Sequence, residues 1–189
     1  VTGLAGVAGR PCGIVASNPR VNGGLLFPGT CRKVIRFIRF MDDAGIPLVF
    51  LADAPGFMFG SKVERLGIVA AGAELFEAIA GSSVPHLCVV LRRAYSAGLY
   101  AVGGSGFQPE KLLALPGALV SVYGPEAVDR LFDALGLPPD REEELRRPMD
   151  EEESLDVMRE RGFLDEVVQP EGVRDQIAWF LQGETVGGN

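Results

Sequence analysis

Two short apolar runs constrain this chain more than any other feature. Leu48 to Ala52 and Leu87 to Leu91 are five residues each with no charged or hydrogen-bonding polar side chain, introduced by Pro47 and by Pro85. They are far too short to span a membrane. A strand with no polar face is buried on both sides, the condition of a parallel sheet covered by helices. The sequence between and around them has the periodicity such a sheet needs. Thr30 can cap a helix to about Ala44, with Val34, Phe37, Ile38 and Met41 on one side. Gly45 ends it and Pro47 prevents its continuation. A second helix is expected over roughly Leu66 to Ala80, packed through Ile68, Gly72, Leu75, Phe76 and Ile79.

The remaining segments extend the alternation. Gly13 to Ala16 reads as a strand, and Asn22-Gly23-Gly24 as a turn before Leu25 to Phe27. After a glycine-rich stretch from Ser96 to Gly106, Leu112 to Leu115 and Ala118 to Val122 are short strands. Gly124-Pro125-Glu126 opens a helix to Leu135. Leu164 to Val168 reads as a strand and Val173 to Leu181 as a closing helix, with a glycine-rich C-terminus, Gly183 to Asn189, expected to fray. Parallel neighbours need crossover connections, so the expected class is α/β. Residues 1–138 are expected to form the core. Residues 139–189 are expected to add an acidic linker, a closing strand and a C-terminal helix of the same domain.

Composition narrows the function. With 47% hydrophobic residues among 189, the chain can build a substantial core. Its net charge of −7 argues against a nucleic-acid partner. The excess is local: from Pro139 to Glu160 ten acids face four arginines, interrupted by Pro148, which reads as a linker and a solvated helix. Three widely spaced cysteines (Cys12, Cys31, Cys88) indicate a reducing, cytoplasmic setting and no metal site. No membrane span or signal peptide is read. The first residue is Val, as in a fragment or a processed chain.

Three segments carry possible chemistry. In Arg93-Ala94-Tyr95-Ser96-Ala97-Gly98-Leu99-Tyr100 a buried strand feeds a helix through small residues. That arrangement leaves the first backbone N–H groups unpaired, and a pair of amides can hold an oxyanion. The same residues also suit plain helix–strand packing. Ser96 could instead be a nucleophile on a strained elbow. Its base would then be His86, the one histidine, roughly 30 Å away along an extended strand, or Lys33, Lys62 or Lys111. Asp53-Ala54-Pro55-Gly56-Phe57-Met58-Phe59-Gly60 closes a buried strand at its carboxyl end, where α/β proteins place ligands. It reads as a ligand wall, a subunit interface or a tucked loop, with Asp53 capping the turn. Arg32, Arg36 and Arg39 share one helix face and read as a solvated stripe.

Taken together these segments resemble the C-terminal half of the carboxyltransferase (β) subunit of biotin-dependent acyl-CoA carboxylases, of the methylcrotonyl- and propionyl-CoA carboxylase type. The stretches that carry the likeness are Gly9 to Ala16, Gly45 to Phe50, Asp53 to Phe57, Gly67-Ile68 through Gly72-Ala73, Val84-Pro85 and Ser96 to Tyr100. The resemblance implies a crotonase/ClpP-like fold of repeated ββα units. It implies that the amides of Ala97 and Gly98 hold the ureido oxyanion of biotin after carboxybiotin loses CO2. Pro55, Gly56, Phe57, Gly67, Tyr95 and Tyr100 are implied to contact the ligands. Tyr100 stands where propionyl- and acetyl-type enzymes carry an acid, which resembles the methylcrotonyl, geranyl or glutaconyl branch. The departures are Ser96 in place of glycine, Leu115 in place of tryptophan, and the acidic segment.

The implied reaction is carboxyl transfer from biotin on a carrier protein to an acyl-CoA, with no metal in this chain. The implied partners are a carboxyltransferase N-domain completing the site, a biotin carboxyl carrier protein and a biotin carboxylase, in an assembly of like or unlike subunits without nucleic acid or membrane. Two other readings stay open from sequence. One is a crotonase-like hydratase, isomerase or decarboxylase using Asp53 or Glu74; the other is a non-catalytic scaffold of the same fold.

Overall fold

A computed structural model describes residues 1–121, 124–152 and 154–183. Val122, assigned above to a strand, and the C-terminal residues 184–189 lie outside the described residues. The chain forms a seven-stranded sheet ordered β1-β2-β3-β4-β5-β7, with β6 paired to β4. The strands are β1 (Thr2–Val7), β2 (Arg10–Ala16), β3 (Leu48–Ala54), β4 (His86–Tyr95), β5 (Lys111–Ala114), β6 (Leu119–Ser121) and β7 (Glu166–Val167). All pairings are parallel except the β1–β2 hairpin.

Strand β1 escaped sequence reading because TGLAGV, at the sheet edge, has no fully buried residue and shows no strong apolar run. Its turn is formed by Ala8 and Gly9 at φ 50° and 78°, a positive pair that suits the twist of a two-residue hairpin.

The central strands are buried on both faces, as their apolar runs require. Phe50, Ala52, Cys88, Val90, Leu112 and Ala114 face one core, with Val34, Ile35, Ile38 and Met41 of α1 (Pro28–Asp43) and Leu75 and Ile79 of α3 (Ile68–Ala80). Val49, Leu87, Val89 and Leu113 face the other, covered by Ile177, Phe180 and Leu181 of α8 (Val173–Gln182). The closing helix is thus the second layer of the domain. Lys111 fixes it by lying 4.1 Å over the Trp179 ring and donating to Gln176 at 3.2 Å. No helix among the described residues is long and apolar enough to cross a membrane.

Helix boundaries differ from the sequence reading for physical reasons. Helix α1 starts at Pro28, not after Thr30, because proline at the first helical position costs no hydrogen bond. It ends as read: Gly45, at φ 64°, donates to Asp42 O at 3.0 Å while Ile46 donates to Met41 O at 2.9 Å. The helix expected from about Leu66 is present and starts at Ile68, and a short helix not read from sequence precedes it. Gly67 turns left-handed at φ 82°, separating α2 (Ser61–Arg65) from α3. Beyond α4 (Ala97–Tyr100) and α5 (Pro125–Leu135), the acidic stretch is helical as α6 (Pro139–Glu152), which runs on through Pro148, and α7 (Leu155–Glu160). Ser154 caps α7 by accepting from Val157 N at 3.2 Å. Arg32, Arg36 and Arg39 form the exposed stripe expected of them.

The chain between α3 and β4 is pinned to α1 by one carboxylate. Asp42 Oδ1 accepts from the N–H of Ser83 at 2.6 Å, from Ser83 Oγ at 3.0 Å, from Ser82 Oγ at 3.1 Å and from Val84 N at 3.2 Å. The Ser83 N–H, first among these, holds the Asp42 carboxyl below its ordinary value. A pKa lower in the folded than in the unfolded state gives stability that is present above the unfolded value and lost as pH falls through the folded one. Asp42→Asn should therefore lower Tm at neutral pH, and the two melting curves should converge as pH falls below the ordinary carboxylate range; thermal unfolding followed by circular dichroism from neutral to acid pH checks it.

Candidate active site

The carboxyl ends of β3 and β4 lie side by side, and the loop leaving each strand builds one half of the site. Between the register pairs Ala52↔Val90 and Ala54↔Ala94, β3 has the single residue Asp53 and β4 has Leu91, Arg92 and Arg93. This bulge lets two consecutive arginines reach one carboxylate. Arg92 Nη2 lies 3.0 Å and Arg93 Nε 3.2 Å from Asp53, which is only 7% exposed. Arg93 also donates from Nη2 to Gly23 O at 2.7 Å. Asp53 is therefore the centre of an ion-pair clamp rather than the turn cap expected, and its carboxylate is committed.

Beyond the clamp the chain turns sharply. Ser96 adopts φ 48° and ψ −133°, a conformation that favours glycine, and its N–H donates to Ser121 O at 2.9 Å. The single-turn helix α4 comes next, and neither its Ala97 N–H nor its Gly98 N–H has an acceptor among the described residues. Gly98 is required by close backbone approach. A Cβ there would stand 2.8 Å from Gly56 Cα and 3.0 Å from Gly56 N. Gly56 belongs to the facing loop after β3, which pairs with Leu26: Leu26 N donates to Gly56 O at 3.0 Å and Met58 N to Leu26 O at 2.9 Å. The Phe57 ring rests against Gly72 of α3, where a Cβ would come within 3.2 Å, and lies edge-on to Phe76 at 5.8 Å.

These two loops enclose a cleft of about 410 Å³. Of the residues read from sequence, Ala97, Gly98, Tyr95, Pro55, Gly56 and Phe57 line it together, joined by Leu25, Ser96 and Arg130. Gly67 and Tyr100 do not line it. Gly67 makes the α2–α3 corner. The Tyr100 ring lies over Gly106 and meets Phe76 and Phe107 at 6.5 and 6.4 Å, forming an aromatic wall on the far side of α4. Arg130 was not singled out from sequence, because a lone cation in an amphipathic helix looks like any solvated side chain.

The chemistry available in this cleft is that of the backbone. Two unpaired N–H groups beside apolar walls can donate to a developing oxyanion. The elbow at Ser96 is strained, but no base accompanies it. His86 sits at the opposite end of β4, buried edge-on against Phe50 at 5.7 Å, and burial lowers its pKa. None of Lys33, Lys62 and Lys111 lines the cleft. Glu74 is exposed on α3 and is not among the lining residues. The thiols are sequestered: burial pushes Cys88 up to about 12 and Cys31 up to about 11. Among the described residues no group of His, Cys, Asp and Glu could hold a metal ion.

A family model described as the carboxyl transferase domain matches residues 1–185. The chain belongs to this family. It is 41% identical to the uncharacterized carboxylase YngE of Bacillus subtilis (strain 168) over 96% of its own length, and 35% identical to the propionyl-CoA carboxylase beta chain of Roseobacter denitrificans over 94%. It spans 37% and 35% of those two proteins. Among solved structures it matches the transcarboxylase 12S core, described as a hexamer with methylmalonyl-coenzyme A bound. That match has a TM-score of 0.87 and 32% identity, covering 100% of this chain and 37% of that one. The beta subunit of P. aeruginosa geranyl-CoA carboxylase matches at TM-score 0.84 and 27% identity, covering 100% of this chain and 38% of that one. The fold is therefore the crotonase-type α/β fold of these carboxyltransferases.

Four substitutions test the geometry of this cleft. Ser96→Gly relieves the positive φ and should stabilise by about 1 kcal/mol. Gly98→Ala overpacks two backbones and should destabilise by about 1–3 kcal/mol. Both are read as shifts in the urea midpoint. Asp53→Ala leaves two arginines uncompensated and should cost more than Arg92→Ala, whose side chain is 58% exposed.

Proposed function

We propose that this chain forms the biotin-facing part of a carboxyltransferase site that moves a carboxyl group from carboxybiotin to an acyl-CoA. The observation that carries the reading is the pair of unpartnered amides, Ala97 and Gly98, opening into a cleft large enough for a bicyclic ureido ring. When bound, carboxybiotin supplies the CO2 and, once decarboxylated, the base for the acyl α-proton. The chain's own residues hold and orient. Ala97 and Gly98 donate to the ureido oxygen, and Pro55, Gly56, Phe57 and Tyr95 shape the walls and exclude water. Low dielectric around the two donors strengthens them, and their fixed geometry removes reorganisation from the reaction. Gly67 sets the corner between α2 and α3, and so the direction of the wall that continues from Phe57.

The acyl side is proposed to run along α4, where Tyr100 with Phe76 and Phe107 presents an aromatic surface suited to a branched or long acyl chain. The site is composite. An N-domain of the same family, on this or another chain, supplies the thioester oxyanion hole, and the working enzyme is an oligomer served by a biotinyl carrier protein and a biotin carboxylase. The relatives' greater length, the hexameric transcarboxylase core and the beta-subunit names of several matches support this. A reducing cytoplasm suits three free, buried cysteines.

Replacing Ala97 with proline removes one of the two donors at a first helical position, where the ring itself is tolerated. In the complete carboxylase, Ala97→Pro should reduce kcat for carboxyl transfer about 10²–10³-fold, with KM for the acyl-CoA unchanged. Folded enzyme that retains wild-type transfer would overturn the proposal.

A further inference from the structure

The cleft holding Ala97 and Gly98 is bordered by α5, and Arg130 in the second turn of that helix lines it. Among the described lining residues Arg130 carries the one charge; the others are apolar, glycine, serine or tyrosine. Its guanidinium is exposed and has no ion pair or hydrogen bond among the described residues. The neighbouring acid Asp129 is engaged instead by Arg146 at 2.7 Å. The chain's acidic excess is concentrated between Pro139 and Glu160, so the charge at the cleft is set locally. Among the described residues this cation borders an otherwise uncharged cleft and attracts an anion locally.

We infer that Arg130 selects the carboxylated, anionic form of the biotin group over the uncharged ureido ring by presenting its guanidinium to the N1-carboxylate at the cleft rim. The inference rests on the carboxyltransferase reading and adds a side-chain determinant to a site otherwise made of backbone. The division of labour follows from chemistry. The two amides recognise the ureido oxygen, which biotin and carboxybiotin share. Only a charge distinguishes the two forms. A solvent-exposed pair supports a preference of about three- to fivefold, and salt screens it.

The test uses the complete carboxylase as wild type, Arg130→Gln, Arg130→Lys and Ala97→Pro. The probes are two stable biotin amides, one with a carboxymethyl group on N1 and the other its neutral methyl ester. Equilibrium binding is measured by ligand-observed NMR at low and high salt, and Tm is measured for every variant. Wild type should bind the acid about three- to fivefold tighter than the ester at low salt, with the gap closing at high salt. Arg130→Gln should bind both probes alike at either salt, and Arg130→Lys should keep most of the preference. A preference retained in Arg130→Gln at unchanged Tm, or absent in wild type, would overturn the inference. Ala97→Pro separates the two proposals. If it weakens both probes while Arg130→Gln leaves their ratio intact, Arg130 alone is misassigned; if it changes neither probe, the carboxyltransferase reading itself fails.

Discussion

The position of Asp53 decides where the two loops of the cleft stand. Its carboxylate takes both Arg92 and Arg93 at the carboxyl ends of the central strands, and Arg93 extends the link to Gly23. Consecutive residues of a regular strand point to opposite faces, so two adjacent arginines cannot share one acid without an irregularity. The bulge in β4 supplies it. The same irregularity coincides with a change of partner: β4 pairs with β5 through Leu87–Val90 and with β6 through Arg93–Tyr95. Ser96 therefore leaves the sheet from a strand end held on one side by Asp53 and on the other by Ser121. The amides of Ala97 and Gly98 inherit their orientation from that constraint.

Small residues complete what the clamp begins. Gly98 lets the α4 backbone meet Gly56, Gly24 lets the loop before α1 reach the Asp53 carbonyl, and Gly72 makes room for Phe57. In each case a backbone or an aromatic ring occupies the space a Cβ would need, so these glycines answer to contact rather than to flexibility. The result is a rigid wall with donors on it. Serine at position 96 introduces strain into that wall at its sharpest bend. The cysteines and the histidine are buried and the lysines stand outside the cleft, which leaves peptide nitrogens as the donors beside the sharp bend.

Much of this was legible in the chain before any coordinates. The apolar runs at Leu48 and Leu87 announced doubly covered parallel strands, and the heptad-like spacing from Val34 to Met41 announced α1. The Gly45 stop is the full helix-ending motif. Order and spacing of the short motifs pointed to the carboxyltransferase family that the comparisons establish. Local pattern failed where the deciding partner was distant. β1 is a strand only because β2 offers it an edge. The five-residue α2 is too short to show a helical period. Asp53 looked like a turn cap because its two arginines lie some forty residues downstream.

By itself the sequence determined the fold class, the layers and the segment that carries the amides, since burial on two faces and the demand for small residues are written directly into residue type. Only the tertiary structure decided which residues share the cleft. It brought Tyr95, Pro55, Phe57 and Arg130 to Ala97 and Gly98, and turned Tyr100 to an aromatic wall outside it. The reason is physical: which side chains converge depends on a bulge, a change of strand partner and a backbone-to-backbone contact between Gly56 and Gly98. All three are relations between segments distant along the chain, and no local periodicity encodes them.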